Sequence, residues 1–183
     1  MPNIDVLDRR RTITIPDLEA FFERTGNRAD QTIMVDQRWT IYQICTRVRD
    51  HGPVGVLRIL CHGAPSYMEL GTGLRVPRDT IPFQHLRGSW VGAYPRIEIH
   101  GCGVASSTDV SCEWRWRPMG TACVPGTSSS NSPGRQLVQA VADNAGVLVI
   151  ASIDVQRGTP GFEGTIVYCR PAVSYTARDL IGR

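Results

Sequence analysis

The sequence lacks the patterns that mark several large classes of protein. No stretch approaches the run of about 20 apolar residues that spans a bilayer, and residues 1–5 lack the charged-then-apolar pattern of a signal peptide. Basic residues are scattered, and the one short cluster, residues 9–11, is typical of a solvated tail rather than of a nucleic-acid-binding arm. We therefore expect a soluble, cytoplasmic protein that binds neither membranes nor nucleic acids.

Motifs for metals and cofactors are missing as well. The six cysteines include no C-x-x-C pair of the kind that binds zinc or carries out redox exchange. The four histidines combine with Asp or Glu in no recognised ligand spacing. The Gly71-Thr72-Gly73 turn lacks the Lys-Ser/Thr pair of a phosphate-binding loop. The sequence thus predicts neither a metal nor a cofactor.

The cysteines fall into groups with different expected roles. Cys45, Cys61 and Cys169 lie inside apolar segments, where a small buried thiol is expected. Cys112 and Cys123 flank a loop and would pair only in an oxidising compartment. No disulfide framework is therefore expected.

What the chain does contain is an ordinary globular composition. Its 183 residues, of which 42% are hydrophobic and 20% charged, suffice for one domain with a sizeable core, and the net charge is +3. Strand-like apolar runs alternate with segments of helical spacing, and most of these runs are continuous. This pattern is typical of a mostly parallel sheet covered on both faces. We predict a single α/β domain over residues 1–183, a three-layer sandwich, although the chain could be a piece of a longer protein.

The predicted elements follow a polar start of the chain. Helices are predicted near residues 15–26, 39–51, 79–90, 134–146 and 177–181; strands at 32–35, 54–61, 96–100, 147–151 and 165–169; and a small hairpin around Gly71–Gly73 within 67–76. The stretch 107–133 is irregular in composition and is predicted to be a long loop insertion, a kind of segment that is often functional.

Two of the predicted strands end in residues with reactive side chains. One stops at His62-Gly63 and the next at Gly101-Cys102-Gly103. Ligands collect at the carboxyl ends of strands in an open α/β sheet, and glycine there permits a sharp turn and close approach of a substrate. A thiolate attacks carbonyl carbon readily, and an imidazole can protonate the departing amine. His62 and Cys102 are therefore the predicted catalytic pair, with the backbone N–H groups of Gly63 and Cys102 as oxyanion donors.

At these residues the chain resembles the caspase–hemoglobinase fold, the clan of cysteine peptidases that includes caspases, metacaspases, gingipains, separase and legumain. Those families place His-Gly after one apolar strand and the nucleophilic Cys after the next. The closer likeness is to bacterial caspase-like domains around the CHAT group and to a domain of large bacterial adhesin-like proteins. The likeness covers residues 30–155 approximately and depends on His62-Gly63, Glu69-Leu70-Gly71, Gly101-Cys102-Gly103-Val104-Ala105, Gly134-Arg135-Gln136-Leu137-Val138 and Ala151-Ser152.

The resemblance implies a cysteine endopeptidase that hydrolyses a protein or peptide substrate through a thioester. In this clan an acidic residue beside the dyad selects Arg or Lys, which makes Asp154, and then Glu69, the candidate substrate-binding residues. The caspase signature Gln-Ala-Cys-x-Gly is absent, so no preference for Asp is implied. Residues 107–133 follow the nucleophile where caspases carry their processed linker. Cleavage there, with Arg115 and Arg117 as candidate positions, could regulate activity, as could a regulatory protein or associated domain.

Other interpretations stay open. The same fold could have lost activity and serve as a binding or scaffold module, or the dyad could belong to a self-processing thiol acyltransferase with a tethered substrate. His100, two residues before Cys102, competes with His62 as the base, although a core or supporting role is the more frequent one for such a residue. Cys61 is predicted to point into the opposite layer from His62, as a structural thiol.

Overall fold

The computed structural model of the chain describes residues 2–10, 29–75, 77–101, 103–106, 132–153 and 165–172. The strands in these ranges are β1 (Asn3–Asp8), β2 (Gln31–Val35), β3 (Val56–Leu60), β4 (His62–Ala64), β5 (Tyr67–Glu69), β6 (Arg96–His100), β7 (Leu148–Ser152) and β8 (Ile166–Cys169). The helices are α1 (Ile41–Asp50), a 3₁₀ helix (Pro77–Leu86) and α2 (Pro133–Ala145). Of these described helices, none has the length and apolar character needed to cross a membrane.

Six of the strands form one mixed sheet in the order β2-β1-β3-β6-β7-β8. The first five are parallel to their neighbours, and β8 runs antiparallel to β7. The predicted α/β class with a mostly parallel sheet is therefore confirmed. The strand order reverses between β1 and β3, and the crevice at the carboxyl ends of such strands is where ligands collect in open α/β sheets.

One face of this sheet is covered by α1, the 3₁₀ helix and α2. The first helix begins at a capping box, in which Thr40 accepts from the N–H of Gln43 and the Gln43 side chain accepts from the N–H of Thr40. The helix α2 is capped by Ser132 before its first residue and by Gly146 after its last, and the φ of 68° at Gly146 is the left-handed conformation common at helix ends. The core between sheet and helices includes Ile4, Val6, Leu57, Ile59, Ile97, Ile99, Val149, Ile44, Val48, Phe83, Leu86, Leu137 and Val141.

The helix predicted after the surface hairpin is present, but it is shorter and of the 3₁₀ type. It spans Pro77–Leu86 and contains Pro82, which has no N–H to donate to an α-helical hydrogen bond. Its buried residues Thr80, Phe83 and Leu86 recur at every third position, which matches the three residues per turn of a 3₁₀ helix. The spacing therefore favours this tighter helix once the segment packs on α1 and α2.

The interpretation of the start of the chain as polar is wrong, because residues 3–8 form a buried strand. Strand β1 lies inside the sheet, between β2 and β3. Its apolar pattern is interrupted by Asp5 and Asp8, and both are fully buried. Asp5 is paired within the sheet, because the Arg58 Nε atom on β3 donates to its Oδ1 at 2.7 Å. A buried acid whose partner lies 53 residues away along the chain leaves no local sign of burial in the sequence.

The second face of the sheet carries a row of charged side chains. Asp5, Arg58 and Glu98 stand opposite one another on β1, β3 and β6. Glu98 accepts from Arg96 Nε at 2.6 Å and lies 3.3 Å from His100 Nε2. Burial raises the pKa of Asp5 to about 6, even though Arg58 acts to lower it. Burial also acts to raise the pKa of Glu98, but hydrogen bonds from His100 and Arg96 outweigh it, and the pKa is lowered.

Candidate active site at the carboxyl edge of the sheet

His62 lies just beyond β3 at the carboxyl edge of the sheet. The continuous apolar run predicts that the core strand reaches Cys61 and stops at His62. In the structure β3 ends at Leu60, and His62 opens β4, the first strand of a separate hairpin. Because His62 lies in β4, its backbone is held by pairing with Glu69 on β5. His62 therefore stands next to the point where the strand order reverses, on a small hairpin rather than on the sheet itself.

The imidazole ring of His62 contacts a backbone carbonyl. Its Nε2 atom lies 3.1 Å from the carbonyl oxygen of Arg10, directly after β1. A carbonyl oxygen can only accept, so the contact assigns the proton of the neutral ring to Nε2 and leaves the lone pair on Nδ1. The side chain is half-buried. An imidazole held in this tautomer can act through Nδ1 as a base or, once protonated, as an acid.

Arg10 also joins the end of β1 to the hairpin. Its guanidinium donates to the Asp8 carboxylate at 2.7 Å and to the backbone oxygens of Glu69 and Gly71 at 2.9 and 2.7 Å. The Asp8 carboxylate additionally accepts from the N–H of Gly71 at 2.9 Å. Burial acts to raise the pKa of Asp8, but the hydrogen bonds from Arg10 and Gly71 outweigh it, so that the pKa is lowered. The hydrogen bonds to Asp8 in turn raise the pKa of Arg10.

Glu69, a predicted substrate-binding residue, lies beside His62. The two residues are direct cross-strand partners in the β4–β5 hairpin, so their side chains share one face. The Glu69 carboxylate is 3.3 Å from the Arg10 guanidinium and its side chain is 31% exposed. The Glu69 carboxylate therefore already has a cationic partner within the protein. Its role in substrate binding stays a prediction.

The backbone N–H of Gly63, a predicted oxyanion donor, points away from β5. Gly63 stands opposite Met68, which exchanges both of its backbone hydrogen bonds with Leu74 on its other side, at 3.0 and 2.9 Å. Opposed residues in an antiparallel pair alternately exchange two hydrogen bonds or none. Gly63 and Met68 therefore form a pair without hydrogen bonds, and the N–H of Gly63 is directed to the outer side of the hairpin.

The end of β6 lies against the end of β3. A Cβ atom built on Gly101 would lie 3.5 Å from the carbonyl oxygen of Cys61 and 3.7 Å from its sulfur. The residue that precedes Cys102 is thus next to the residue that precedes His62. Cys102 itself lies outside the described residues. Gly103, on its other side, has φ of 56°, a left-handed conformation that glycine adopts without strain.

The turn formed by residues 103–106 is tied to its surroundings by backbone hydrogen bonds. The carbonyl oxygen of Val104 accepts from the N–H of Ser66, in the turn of the β4–β5 hairpin, at 3.2 Å. The N–H of Ala105 donates to the carbonyl oxygen of Ser152, the last residue of β7, also at 3.2 Å. The segment that follows the predicted nucleophile is therefore fixed both to the sheet and to the hairpin of the predicted base.

The same turn packs closely against the first turn of α2, and a substitution there tests the packing. A Cβ atom at Gly134 would lie 2.5 Å from the carbonyl oxygen of Val104 and would collide with that of Ser106. Gly134→Ala is therefore expected to destabilise the fold by about 1–3 kcal/mol through overpacking, although Gly to Ala in a helix ordinarily stabilises by roughly 0.5–1 kcal/mol. Urea unfolding followed by circular dichroism measures the difference; a variant as stable as the wild type contradicts the close contact.

The structure describes some of the remaining predicted residues and not others. Cys45, Cys61 and Cys169 are buried, as predicted, and burial raises the pKa of Cys45 to about 12 and also raises that of Cys169. His100 is 5% exposed beside Glu98, a position that fits a core role. Outside the described residues lie Cys102, Asp154, Arg115, Arg117, Cys112, Cys123, residues 107–131 of the predicted loop and the helices predicted near 15–26 and 177–181.

The part of the site contributed by the end of β1 was missed by sequence reasoning. The cluster 9–11 has the composition typical of a solvated tail, yet the Arg10 side chain is only 26% exposed and contacts the hairpin. The available signal was the Asp8-x-Arg10 spacing. It is ambiguous, because Asp36-x-Arg38 after β2 has the same spacing and forms the same local pair, with Arg38 85% exposed.

Comparison of the chain with protein-family models, with curated proteins and with solved structures found no match. The function is therefore inferred from the geometry of the site.

Proposed function

We propose that this chain is a cysteine endopeptidase with a caspase-like, three-layer fold, in which His62 and Cys102 hydrolyse peptide bonds through a thioester. The observation that carries the proposal is the placement of His62. Its ring is held on the Arg10 carbonyl at the carboxyl edge of a mostly parallel sheet. Cys61, the residue before His62, lies against Gly101, the residue before Cys102. A base and a nucleophile at neighbouring strand ends are the arrangement that acyl transfer needs.

The proposed reaction begins with attack of the Cys102 thiolate on the carbonyl carbon of the scissile peptide bond. A C–S bond forms, and the carbonyl oxygen becomes an oxyanion that accepts hydrogen bonds from the backbone N–H groups of Gly63 and Cys102. His62, protonated on Nδ1, donates that proton to the departing amine as the C–N bond breaks. The neutral imidazole then takes a proton from water, whose oxygen attacks the thioester and releases the thiolate and the carboxylic acid.

The proposed substrate is a peptide segment of a protein. The proposed specificity is for a basic residue, Arg or Lys, directly before the scissile bond. Such a preference needs an acid beside the dyad. Glu69 lies there and shares the Arg10 guanidinium with Asp8. Asp154 is the first candidate for this acid and Glu69 the second. Cleavage within residues 107–133, or an associated regulatory domain, would then regulate the activity.

Labelling and hydrolysis together test this function. Purified protein is treated with iodoacetamide and mapped by peptide mass spectrometry, and a fluorogenic peptide library varied before the scissile bond is assayed with wild type and Cys102→Ala. We expect label on Cys102 and hydrolysis that disappears in the variant. Cys45 is the internal control, because burial raises the pKa of its thiol to about 12 and keeps it unreactive.

The outcomes separate the competing functions. Label on Cys102 without hydrolysis of any peptide favours an inactive binding or scaffold module. Defined fragments of the chain itself, absent from Cys102→Ala, favour self-processing on a tethered substrate. If Cys102 reacts no faster than Cys45, the peptidase proposal is overturned.

A further inference from the structure

We propose that Asp8 is a positioning residue of this site: through Arg10 it holds both the ring and the backbone of His62 in the orientation that activates Cys102. The inference rests on the proposed function. Among the described residues, the hydrogen bonds of Asp8 go to Arg10 and Gly71 and not to His62. It acts through a chain of hydrogen bonds that starts at the end of β1 and ends at the imidazole.

The carboxylate of Asp8 is fully used by this network. Its Oδ1 atom accepts from the backbone N–H of Arg10 at 3.0 Å and from Arg10 Nε at 2.9 Å. Its Oδ2 atom accepts from Arg10 Nη2 at 2.7 Å and from the N–H of Gly71 at 2.9 Å. Charge-assisted hydrogen bonds of this kind are roughly twice as strong as neutral ones. A fully buried carboxylate with four donors therefore sets the conformation of the residues around it.

The first consequence concerns the ring of His62. The carbonyl oxygen that accepts from Nε2 belongs to Arg10, and the same residue's N–H and side chain are both bound to Asp8. The orientation of that residue's backbone thus depends on the carboxylate. If the backbone of Arg10 changes orientation, its carbonyl oxygen moves, and the His62 ring loses the contact that assigns its proton to Nε2.

The second consequence concerns the backbone of His62. Glu69 is the cross-strand partner of His62, and its carbonyl oxygen accepts from the Arg10 guanidinium at 2.9 Å. Gly71, two residues further, is bound on both sides, by its N–H to Asp8 and by its carbonyl oxygen to Arg10. The first strand of the hairpin, β4, contains His62. The chain at the end of its second strand, β5, is bound to Asp8 and Arg10 at the end of β1, so these two residues fix the position of the hairpin.

The chain contains a second Asp-x-Arg motif, Asp36-x-Arg38, which is not connected to the hairpin among the described residues. It shows what the local ion pair does by itself. Asp36 follows β2 and accepts from the backbone N–H of Arg38 at 2.9 Å and from its Nη2 at 3.0 Å. Arg38 is largely exposed, and no contact of its guanidinium with the β4–β5 hairpin is found among the described residues. The Asp-x-Arg pair is thus a local turn feature, and of the two described copies the one at the end of β1 extends to the predicted base.

The test measures the rate of Cys102 alkylation by iodoacetamide as a function of pH. A thiol paired with imidazolium ionises below the ordinary value of about 8.5, so the midpoint of the profile reports how well His62 is positioned. The groups around Asp8 that can alter the profile are Arg10, Glu69 and His62. We expect Asp8→Asn to move the midpoint upward by about one pH unit and to lower kcat for peptide hydrolysis roughly 10- to 100-fold, with a smaller effect on KM.

Two further variants keep the test independent of folding. Arg10→Ala retains the backbone carbonyl but removes the connection to the hairpin at a partly exposed side chain, and it is expected to shift the midpoint in the same direction. Asp36→Asn is the matched control, with the same substitution in the same local motif and no expected shift. Circular dichroism melting curves confirm that each variant is folded at the assay temperature.

The outcomes distinguish this inference from the proposed function. If wild type and His62→Ala share one midpoint, no dyad exists and the proposed function fails. If His62→Ala differs from wild type while folded Arg10→Ala and Asp8→Asn both match wild type, the dyad stands and the positioning role of Asp8 is overturned. If Asp36→Asn shifts the midpoint as much as Asp8→Asn does, the effect is general electrostatics and the positioning role is again overturned.

Discussion

Replacing His62 with alanine is expected to lower kcat/KM for peptide hydrolysis by about 10²- to 10⁴-fold, the usual contribution of a positioned acid–base group. The reason is specific to the geometry of the site. The ring is held on the Arg10 carbonyl through Nε2, so only Nδ1 is left to transfer a proton. Steady-state kinetics with the best peptide of the library measures the loss.

His51→Ala is the matched control for this substitution. His51 is the C-cap residue of α1, and the chain enters β3 shortly after it, so His51 lies at the opposite, amino-terminal edge of the sheet. Its replacement should leave kcat/KM unchanged. The buried His100 is the competing base. If His100→Ala abolishes hydrolysis while His62→Ala retains it, the dyad has been assigned to the wrong histidine.

Replacing Arg58 with leucine is expected to destabilise the fold by about 3–5 kcal/mol near pH 8, because it leaves a buried carboxylate without its cationic partner. The Arg58 side chain and Asp5 are both buried, and they form the 2.7 Å ion pair between β3 and β1. One oxygen of Asp5, Oδ2, has no hydrogen-bond donor among the described residues, so the carboxylate has no second partner there to compensate. Urea unfolding followed by circular dichroism measures the loss.

The loss in Arg58→Leu should depend on pH in a defined direction. Arg58 acts to lower the pKa of Asp5, which is about 6 in the fold, so its removal raises that pKa further. The ordinary value in an unfolded chain is about 3.9. Between the unfolded and the folded value the folded state binds more protons than the unfolded state, and stability falls as pH rises. This fall ends near pH 6 in the wild type and continues to a higher pH in the variant, so the additional loss accumulates above about pH 6. The destabilisation should therefore be larger near pH 8 than near pH 5.

A double variant provides the control for this ion pair. Asp5→Leu/Arg58→Leu removes both charges, and a buried pair replaced by apolar side chains is often neutral or stabilising. It should recover most of the lost stability and should remove the dependence on pH. Glu98 faces Arg58 from β6 but keeps its own hydrogen bonds with Arg96 and His100. If the single variant is equally destabilised at both pH values, the loss arises from packing and not from the Asp5 carboxylate.

Elements with an uninterrupted local pattern could be predicted from the sequence. Strand β6 matches its predicted bounds, and α2 ends at Gly146 as predicted, because a left-handed helix end favours glycine. Strand β1 could not be predicted, since its buried acids are explained only by Arg58 on another strand and by Arg10 in its contact with the hairpin. The break between β3 and β4 was also missed, because a continuous apolar run does not show where the chain leaves the sheet.

The sequence by itself determined the fold class, the burial of three cysteines and the choice of His62 as the predicted base. These follow from periodicity and from residue type, which are properties of short segments. Only the tertiary structure decided which groups surround that base. The carbonyl of Arg10, the carboxylate of Asp8 and the hairpin meet through contacts between residues 52 to 63 positions apart in the chain. Hydrogen bonds over such separations depend on strand order and register, and no local pattern encodes those.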